Sequence, residues 1–207
     1  MTYPLTSVNA KATVGMIMRE HAEPVAWSDR YLFRGEQEPY RLPSVIRMNH
    51  NVDFLHNVLT GKPVRYSPIN LAIRDEYICH YSGREVMWAH DDPLYRATMD
   101  HVYPSGQEGE NWTWWNALLA SEERNNKKGN RTPRQADMWP LVAPWEPSAP
   151  DMLFLHAERW RGLGHIPEEW LFFLEKVKPT AKVERVRELR ARALEELRGE
   201  STTYLAA

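Results

Sequence analysis

Along this chain apolar residues come in short runs broken by proline, glycine and charged residues, and a helical period persists for many turns only near the C-terminus. Ala12 to Met18 is an apolar run closed by Arg19, Glu20 and His21, which predicts a short helix. Arg41-Leu-Pro-Ser-Val-Ile-Arg47 predicts an extended segment, because Pro43 interrupts a helix and Val45 and Ile46 are β-branched. Ile69 to Glu76, apolar at Ile69, Leu71, Ala72 and Ile73, predicts a helix leading into residues 77–83, where Gly83 supplies a turn. Thr98 to Tyr103 predicts a strand, stopped by Pro104-Ser-Gly106, and Trp112 to Ala120 follows a loop of Gly, Glu and Asn. A short polar helix is predicted from Ser121, whose hydroxyl can cap it, with Glu122 and Glu123 in the first turn and Gly129 ending it. Thr132-Pro133 has the form of an N-cap and first residue of another short helix.

Pro140, Pro144, Pro147 and Pro150 predict an extended connector over 140–150. Beyond it, Pro167-Glu-Glu-Trp-Leu-Phe-Phe-Leu174 predicts a helix. Val183 to Arg198 predicts another, with Val183, Val186, Leu189, Ala193, Leu194 and Leu197 in one stripe and Glu188–Arg192 and Arg192–Glu196 spaced for pairing. The stripe has two uses: packing on the domain, which is preferred, or a seam for a partner. The partner would be a second copy, giving a homodimer, or a different protein of a larger assembly. The pattern as a whole predicts an α+β protein in three stretches: an N-terminal mixed segment over 1–74, a central module over 75–138, and a connector with helices over 139–207.

Composition narrows the class. The chain has 207 residues, 43% hydrophobic and 26% charged, with no apolar run long enough to span a bilayer, so no membrane partner is expected. Its Met-Thr-Tyr-Pro-Leu start lacks the basic and apolar stretches of a secretory signal. The single cysteine, Cys79, excludes an intramolecular disulfide, and a cytoplasmic location is expected. A net charge of −2 argues against nonspecific coating of nucleic acid, but the charge is uneven. Residues 124–134 carry five cations, Arg124, Lys127, Lys128, Arg131 and Arg134, and no acid. Alone, such a run is more often a solvated loop than a binding surface.

Its neighbours change that reading. Asp100-His101 stands at the end of a predicted strand, Asn116 follows a loop, and Asn125 lies on the short helix. Phosphodiester hydrolysis needs a base, a metal, hard oxygen ligands and cations for the backbone. His101 can be the base, since an imidazole titrates near neutrality. Asp100 and the Asn125 carboxamide are ligands of the type Mg²⁺ prefers, with Mn²⁺ an alternative. Asn126 is the second choice for that ligand. Lys127, Lys128, Arg131 and Arg134 can hold phosphates on either side. His90-Asp91-Asp92 reads as a polar turn, Cys79 lacks a base that would make it a nucleophile, and His80, His50 and His56 read as ordinary histidines.

Thr98-Met-Asp-His-Val-Tyr-Pro104, Trp115-Asn-Ala-Leu-Leu-Ala-Ser121 and Arg124-Asn-Asn-Lys-Lys-Gly-Asn-Arg-Thr-Pro133 together resemble the core of bacterial and phage HNH endonucleases. The resemblance extends to Tyr40-Arg-Leu-Pro-Ser-Val-Ile46, to residues 70–83, and more faintly to His165-Ile-Pro-Glu-Glu-Trp170. It implies a ββα-metal fold, a hairpin and helix gripping one divalent ion, acting on DNA. His101 would activate water, Asp100 and Asn125 would bind metal, and Asn116 would brace the hairpin loop. The products would carry a 5′-phosphate and a 3′-hydroxyl. The setting would be phage DNA processing, restriction or mobility of a genetic element, and a different protein on the C-terminal stripe would then be a DNA-processing protein of phage or host. A DNA-binding or packaging accessory protein with little catalysis is the alternative. Relatives often carry two Cys-x-x-Cys pairs holding a structural zinc. The corresponding positions here are Cys79, Ser82, Ser121 and Arg124, so no structural zinc is expected. Arg124 is expected to donate hydrogen bonds there to Ser82, Ser121 or nearby carbonyls.

Overall fold

A computed structural model of the chain describes residues 10–34, 39–49, 64–104, 112–163, 168–175 and 177–204. His50, His56, Pro167 and the turn at Ser105-Gly106 lie outside the described residues. The architecture is α+β, with two small antiparallel sheets and several helices. The chain forms two compact units, residues 1–62 with 156–178 and residues 63–155 with 179–207.

In the first unit, helix α1 (Ala10–Met18) leads through a backbone reversal at Glu20, whose φ is +58°, into a long hairpin of β1 (Ala22–Arg34) and β2 (Pro39–Met48). The pairing runs from Ala22↔Met48 to Arg34↔Pro39, with register shifts between Pro24 and Leu32. The prolines account for part of that irregularity, because neither Pro24 nor Pro43 has an N–H to give to a ladder. β1 was not legible in the sequence: Ala-Glu-Pro-Val-Ala-Trp-Ser-Asp lacks clean alternation, and the strand is held by its partner.

The second unit holds the central module. Helix α2 (Pro68–Arg74) begins as its sequence dictates, with Ser67 accepting from the Asn70 N–H at 3.2 Å and Pro68 at the first helical position. Strands β3 (Ala97–His101) and β4 (Ala117–Ser121) pair from Ala97↔Ser121 to His101↔Ala117. Every residue of β4 is buried, whereas β3 buries Ala97 and Asp100 and leaves the positions between them partly open. Ala72, Cys79, Tyr81, Val86, Ala97, Leu119, Ala120 and Met138 form one apolar cluster, and Leu71, Trp114 and Ala117 a second.

Helix α3 (Glu122–Lys128) follows β4 with no intervening residue. Ser121 caps it by accepting from the Arg124 N–H at 3.3 Å, and Gly129, at φ +56°, ends it with a bond to the Asn125 carbonyl. Thr132 and Gln135 form a reciprocal capping box on the single turn α4 (Pro133–Ala136). Helix α5 (Ala149–Gly162) occupies a stretch that the proline pattern left without an element. Its start is fixed by Asp151, which accepts from both the Ser148 N–H and hydroxyl. Helix α6 (Glu168–Leu174) packs on both strands of the first unit's hairpin.

Helix α7 (Ala181–Tyr204) buries Val183 and Val186, while Leu189 and Leu197 are exposed. Its Arg187 and Arg190 pair with Glu76, and its Leu194 lies over Gly83, where an added Cβ would stand 2.1 Å from a leucine methyl. The Gly83 turn, at φ +70°, favours glycine for its backbone, while Leu194 could shift to admit a Cβ. Among the described residues of α7, Glu188 pairs with Arg185 at 3.2 Å, one turn earlier than the spacing of Glu188 and Arg192 suggested.

Beneath the hairpin lies a polar network. Arg74, Asp75 and His80 are fully buried. The Arg74 guanidinium donates to Asp75 at 2.8 and 3.0 Å and to the carbonyls of Trp114, Trp145 and Ala117 at 2.8 to 3.0 Å. Asp75 also accepts from the Leu119 N–H at 2.8 Å, and His80 Nε2 stands 3.2 Å from its other oxygen. One ion pair thus ties α2, β4 and the proline connector together.

Candidate active site

The end of the β3–β4 hairpin gathers most of the chemistry. Asp100, the fourth residue of β3, points inward and is 5% exposed. The Tyr81 hydroxyl donates to its Oδ2 at 2.6 Å, and Lys128 Nζ lies 3.1 Å from both of its oxygens. Lys128 also donates to the His101 carbonyl at 2.6 Å and is 1% exposed. The sequence placed Lys128 among phosphate-holding cations. The structure puts it inside, because a Lys three residues after Asn125 shares that residue's helix face, which is turned toward β3.

Asn125 lies on the same face. Its Nδ2 donates at 3.2 Å to the Thr98 hydroxyl and to the Met99 carbonyl. The carboxamide is thereby anchored on the two residues that precede Asp100. Asn126, the alternative, is exposed. Asn116 is 5% exposed and grips the main chain beyond β3: its Oδ1 accepts from the Tyr103 N–H and its Nδ2 donates to the Tyr103 carbonyl, both at 2.9 Å. A third bond, Val102 N–H to the Asn116 carbonyl at 3.0 Å, closes the hairpin end.

The His101 imidazole lies against the Trp112 indole, centroids 3.6 Å apart and planes inclined by 31°. Its Nε2 is buried and without a hydrogen-bond partner among the described residues. Loss of solvent lowers the imidazole's pKa, the Lys128 charge lowers it further, and Asp100 opposes both. Burial raises the Asp100 carboxyl above its ordinary range, against the hydrogen bond from Tyr81 and the charge of Lys128. Burial, and then the charge of Asp100, raise the Tyr81 phenol, which remains a donor.

The donor set suits a hard divalent ion. Among the described residues Asp100 accepts from Tyr81 and Lys128, so a carboxylate with about four lone-pair sites keeps capacity. Asn125 commits its Nδ2 to Thr98 and Met99, so its oxygen is the atom that could meet a cation. Among the described residues no group of three or more His, Cys, Asp or Glu side chains is placed to hold a metal. A site here would rest on one carboxylate and one carboxamide, the rest of the shell being water and phosphate.

The four positions of the degenerate zinc set do not fit zinc. Cys79 is buried with its Sγ 3.8 Å from the Ser121 hydroxyl, Ser121 caps α3, and Ser82 Oγ accepts from the Arg84 N–H at 3.5 Å. The Arg124 guanidinium pairs with Glu123 at 3.1 Å, instead of bonding Ser82, Ser121 or carbonyls as the sequence suggested. An adjacent carboxylate attracts it more strongly than a neutral hydroxyl.

Of the remaining cations, Lys127 and Arg134 are exposed. Arg131 folds back to donate to the carbonyls of Lys127 and Lys128, completing the helix end. His90 and Asp92 form a turn, with Asp92 N–H on His90 Nδ1 at 3.1 Å and Leu94 N–H on Asp92 Oδ1 at 2.9 Å. Tyr81 was missed by sequence reasoning, since nothing local links it to a carboxylate 19 positions on. The place of Lys128 did have a signal: its spacing from Asn125. Among the described residues no helix is long and apolar enough to cross a membrane.

No curated protein matches this chain. Residues 2–56 match the family model described as HNH endonuclease-associated, N-terminal domain, which links the chain to HNH nucleases through a segment that precedes the β3–β4 hairpin.

Proposed function

We propose that this protein is a divalent-metal-dependent DNA endonuclease whose ββα-metal core is β3, β4 and α3. The observation that carries the reading is the convergence at one hairpin end. It is supported by a His101 Nε2 without a hydrogen-bond partner among the described residues, a buried Asp100, an Asn125 anchored on Thr98 and Met99, and an Asn116 bonded to the Tyr103 main chain.

Asp100 and Asn125 would hold a Mg²⁺- or Mn²⁺-type ion, whose chemistry is to neutralise charge building on the phosphate. His101 does the proton work. Burial lowers the imidazole pKa and so favours the neutral ring, whose free nitrogen can take a proton from an attacking water. The water oxygen forms the new bond to phosphorus as the bond to the 3′-oxygen breaks, and that oxygen takes a proton from solvent water, giving a 5′-phosphate and a 3′-hydroxyl. Trp112 covers one side of the imidazole and restricts its rotation. Lys128 and Tyr81 orient Asp100, and Asn116 holds the turn that follows His101. Lys127 and Arg134 are exposed and available to phosphates. A cytoplasmic setting accords with a single buried thiol.

The test is supercoiled plasmid incubated with protein and Mg²⁺ or Mn²⁺, with and without chelator. Open-circular or linear DNA should form, require the ion, and vanish in His101→Ala. Conversion that persists in His101→Ala removes the assigned base. A second reading, a DNA-binding or packaging accessory protein, draws on the Lys128 ammonium already seated on Asp100. DNA binding with no conversion under any divalent ion would establish it.

A further inference from the structure

Three aromatic rings at the proposed catalytic end stand in water. Tyr103 is 48% exposed, Trp112 42% and Trp115 61%. The tryptophan between the last two behaves differently. Trp114 is 5% exposed, donates from Nε1 to the Val64 carbonyl at 2.8 Å, and meets the Tyr66 ring edge-on at 5.3 Å. Packing therefore accounts for Trp114 and leaves its neighbours unexplained. Indoles and phenols are usually buried because they carry so much apolar surface, and three left in water on the residues around one hairpin end are available to a partner.

The three are also held in place. The Tyr103 main chain is fixed by both ends of the Asn116 carboxamide. Trp112 rests on the His101 ring. Trp115 stands between two anchored residues, Trp114 and Asn116. Rings preset in this way lose little freedom when a flat partner slides onto them. On α3 and α4, which follow β4, Lys127 and Arg134 are exposed, whereas Arg124, Lys128 and Arg131 are engaged within the fold, so the complementary partner is an anionic chain bearing flat faces. In continuous duplex the base faces are covered by their neighbours. Only an unpaired nucleotide offers one.

We propose that Tyr103, Trp112 and Trp115 form a stacking platform for an unpaired base beside the scissile phosphate, so that the preferred substrate is single-stranded or locally unpaired DNA. The proposal rests on the nuclease reading for the position of that phosphate.

Binding is measured with full-length, metal-free protein in chelator at one fixed salt concentration, since affinities shift steeply with salt. The probes are a 2-aminopurine-labelled single strand, its continuous duplex, and a duplex carrying an unpaired bubble. Wild type should bind single strand and bubble more tightly than duplex and quench the probe. Trp115→Ala should weaken single-strand and bubble binding by about tenfold and leave duplex binding unchanged. Trp115→Phe, which keeps a ring, should restore most of it. Trp115 is exposed, so the variants should melt with the wild type, and thermal melts check this.

Equal wild-type affinity for single strand and duplex overturns the proposal. So does a Trp115→Ala variant that changes neither affinity or lowers both alike, and so does failure of the wild type to bind any of the three probes. Plasmid conversion run in parallel separates the two ideas. His101-dependent conversion without a Trp115-dependent preference leaves the nuclease and removes the platform. A Trp115-dependent preference without conversion leaves the platform as a binding surface and removes the catalytic assignment.

Discussion

Asp75→Asn is the most severe test of how this hairpin is supported. The carboxylate accepts from two Arg74 nitrogens and from the Leu119 N–H, and stands beside His80, all without solvent. Asparagine offers one oxygen and turns two N–H donors toward groups that are themselves donors. It also leaves the buried Arg74 guanidinium without a counter-ion. Breaking a buried pair from one side costs about 3–5 kcal/mol. Native domains have a total stability of about 5–15 kcal/mol, so the loss is a large fraction. At about 2–4 °C per kcal/mol for a protein of this size, the melting temperature should fall by roughly 6–20 °C, measured by circular dichroism.

The same carboxyl makes the wild type acid-sensitive. Burial pushes its pKa up, but the Arg74 charge and the neighbouring His80 outweigh burial and hold it well below the usual carboxylate range. A depressed native pKa adds stability above the unfolded value of about 3.9, and that stability is lost as pH falls below it. Wild type should therefore lose stability more steeply than Asp75→Asn below about pH 4. A variant that loses under about 1 kcal/mol at neutral pH, with the same acid limb as wild type, would refute the claim that this network holds the module together.

Lys128→Met should lower stability by about 3–5 kcal/mol in a urea titration, because it strands a buried carboxylate. Lys127→Ala should leave the melt unchanged and reduce the salt slope of DNA binding by about one, so the two neighbours separate a structural from a phosphate-contacting lysine. Asn116→Ala should cost about 2 kcal/mol in the same titration, through two lost bonds to the Tyr103 main chain, and lower plasmid conversion further. Chelator added before a thermal scan should not move the melting temperature, since the positions of the zinc set are filled by Cys79, Ser82, Ser121 and Arg124; a large drop would reveal a structural metal.

What the sequence disclosed was local. Ser121, Gly129, Thr132 and Pro133 announced α3 and α4 because a cap is written within three or four residues. Asp100, His101, Asn116 and Asn125 were singled out by type and order; all four lie on or beside the β3–β4 hairpin and α3. Long-range pairings were hidden. Tyr81 and Asp100, Arg74 and the Trp145 carbonyl, and Gly83 and Leu194 meet only after the chain has closed. β1 and α5 were hidden for a related reason, since neither carries a clean period and each depends on contacts from elsewhere. Lys128 was misplaced because the predicted helix was read as polar all round, without an inner face on which Asn125 and Lys128 lie together.

Strand β4 passes into α3 without a single spare residue, and Ser121 belongs to both. The hairpin and the helix therefore share one mechanical frame. An extra residue at that joint would rotate the helix by about 100° and advance it by about 1.5 Å. Asn125 and Lys128 would swing off β3 together while His101 stayed where it was. Length at this joint, more than side-chain identity along the helix, sets whether the two halves of the site face each other.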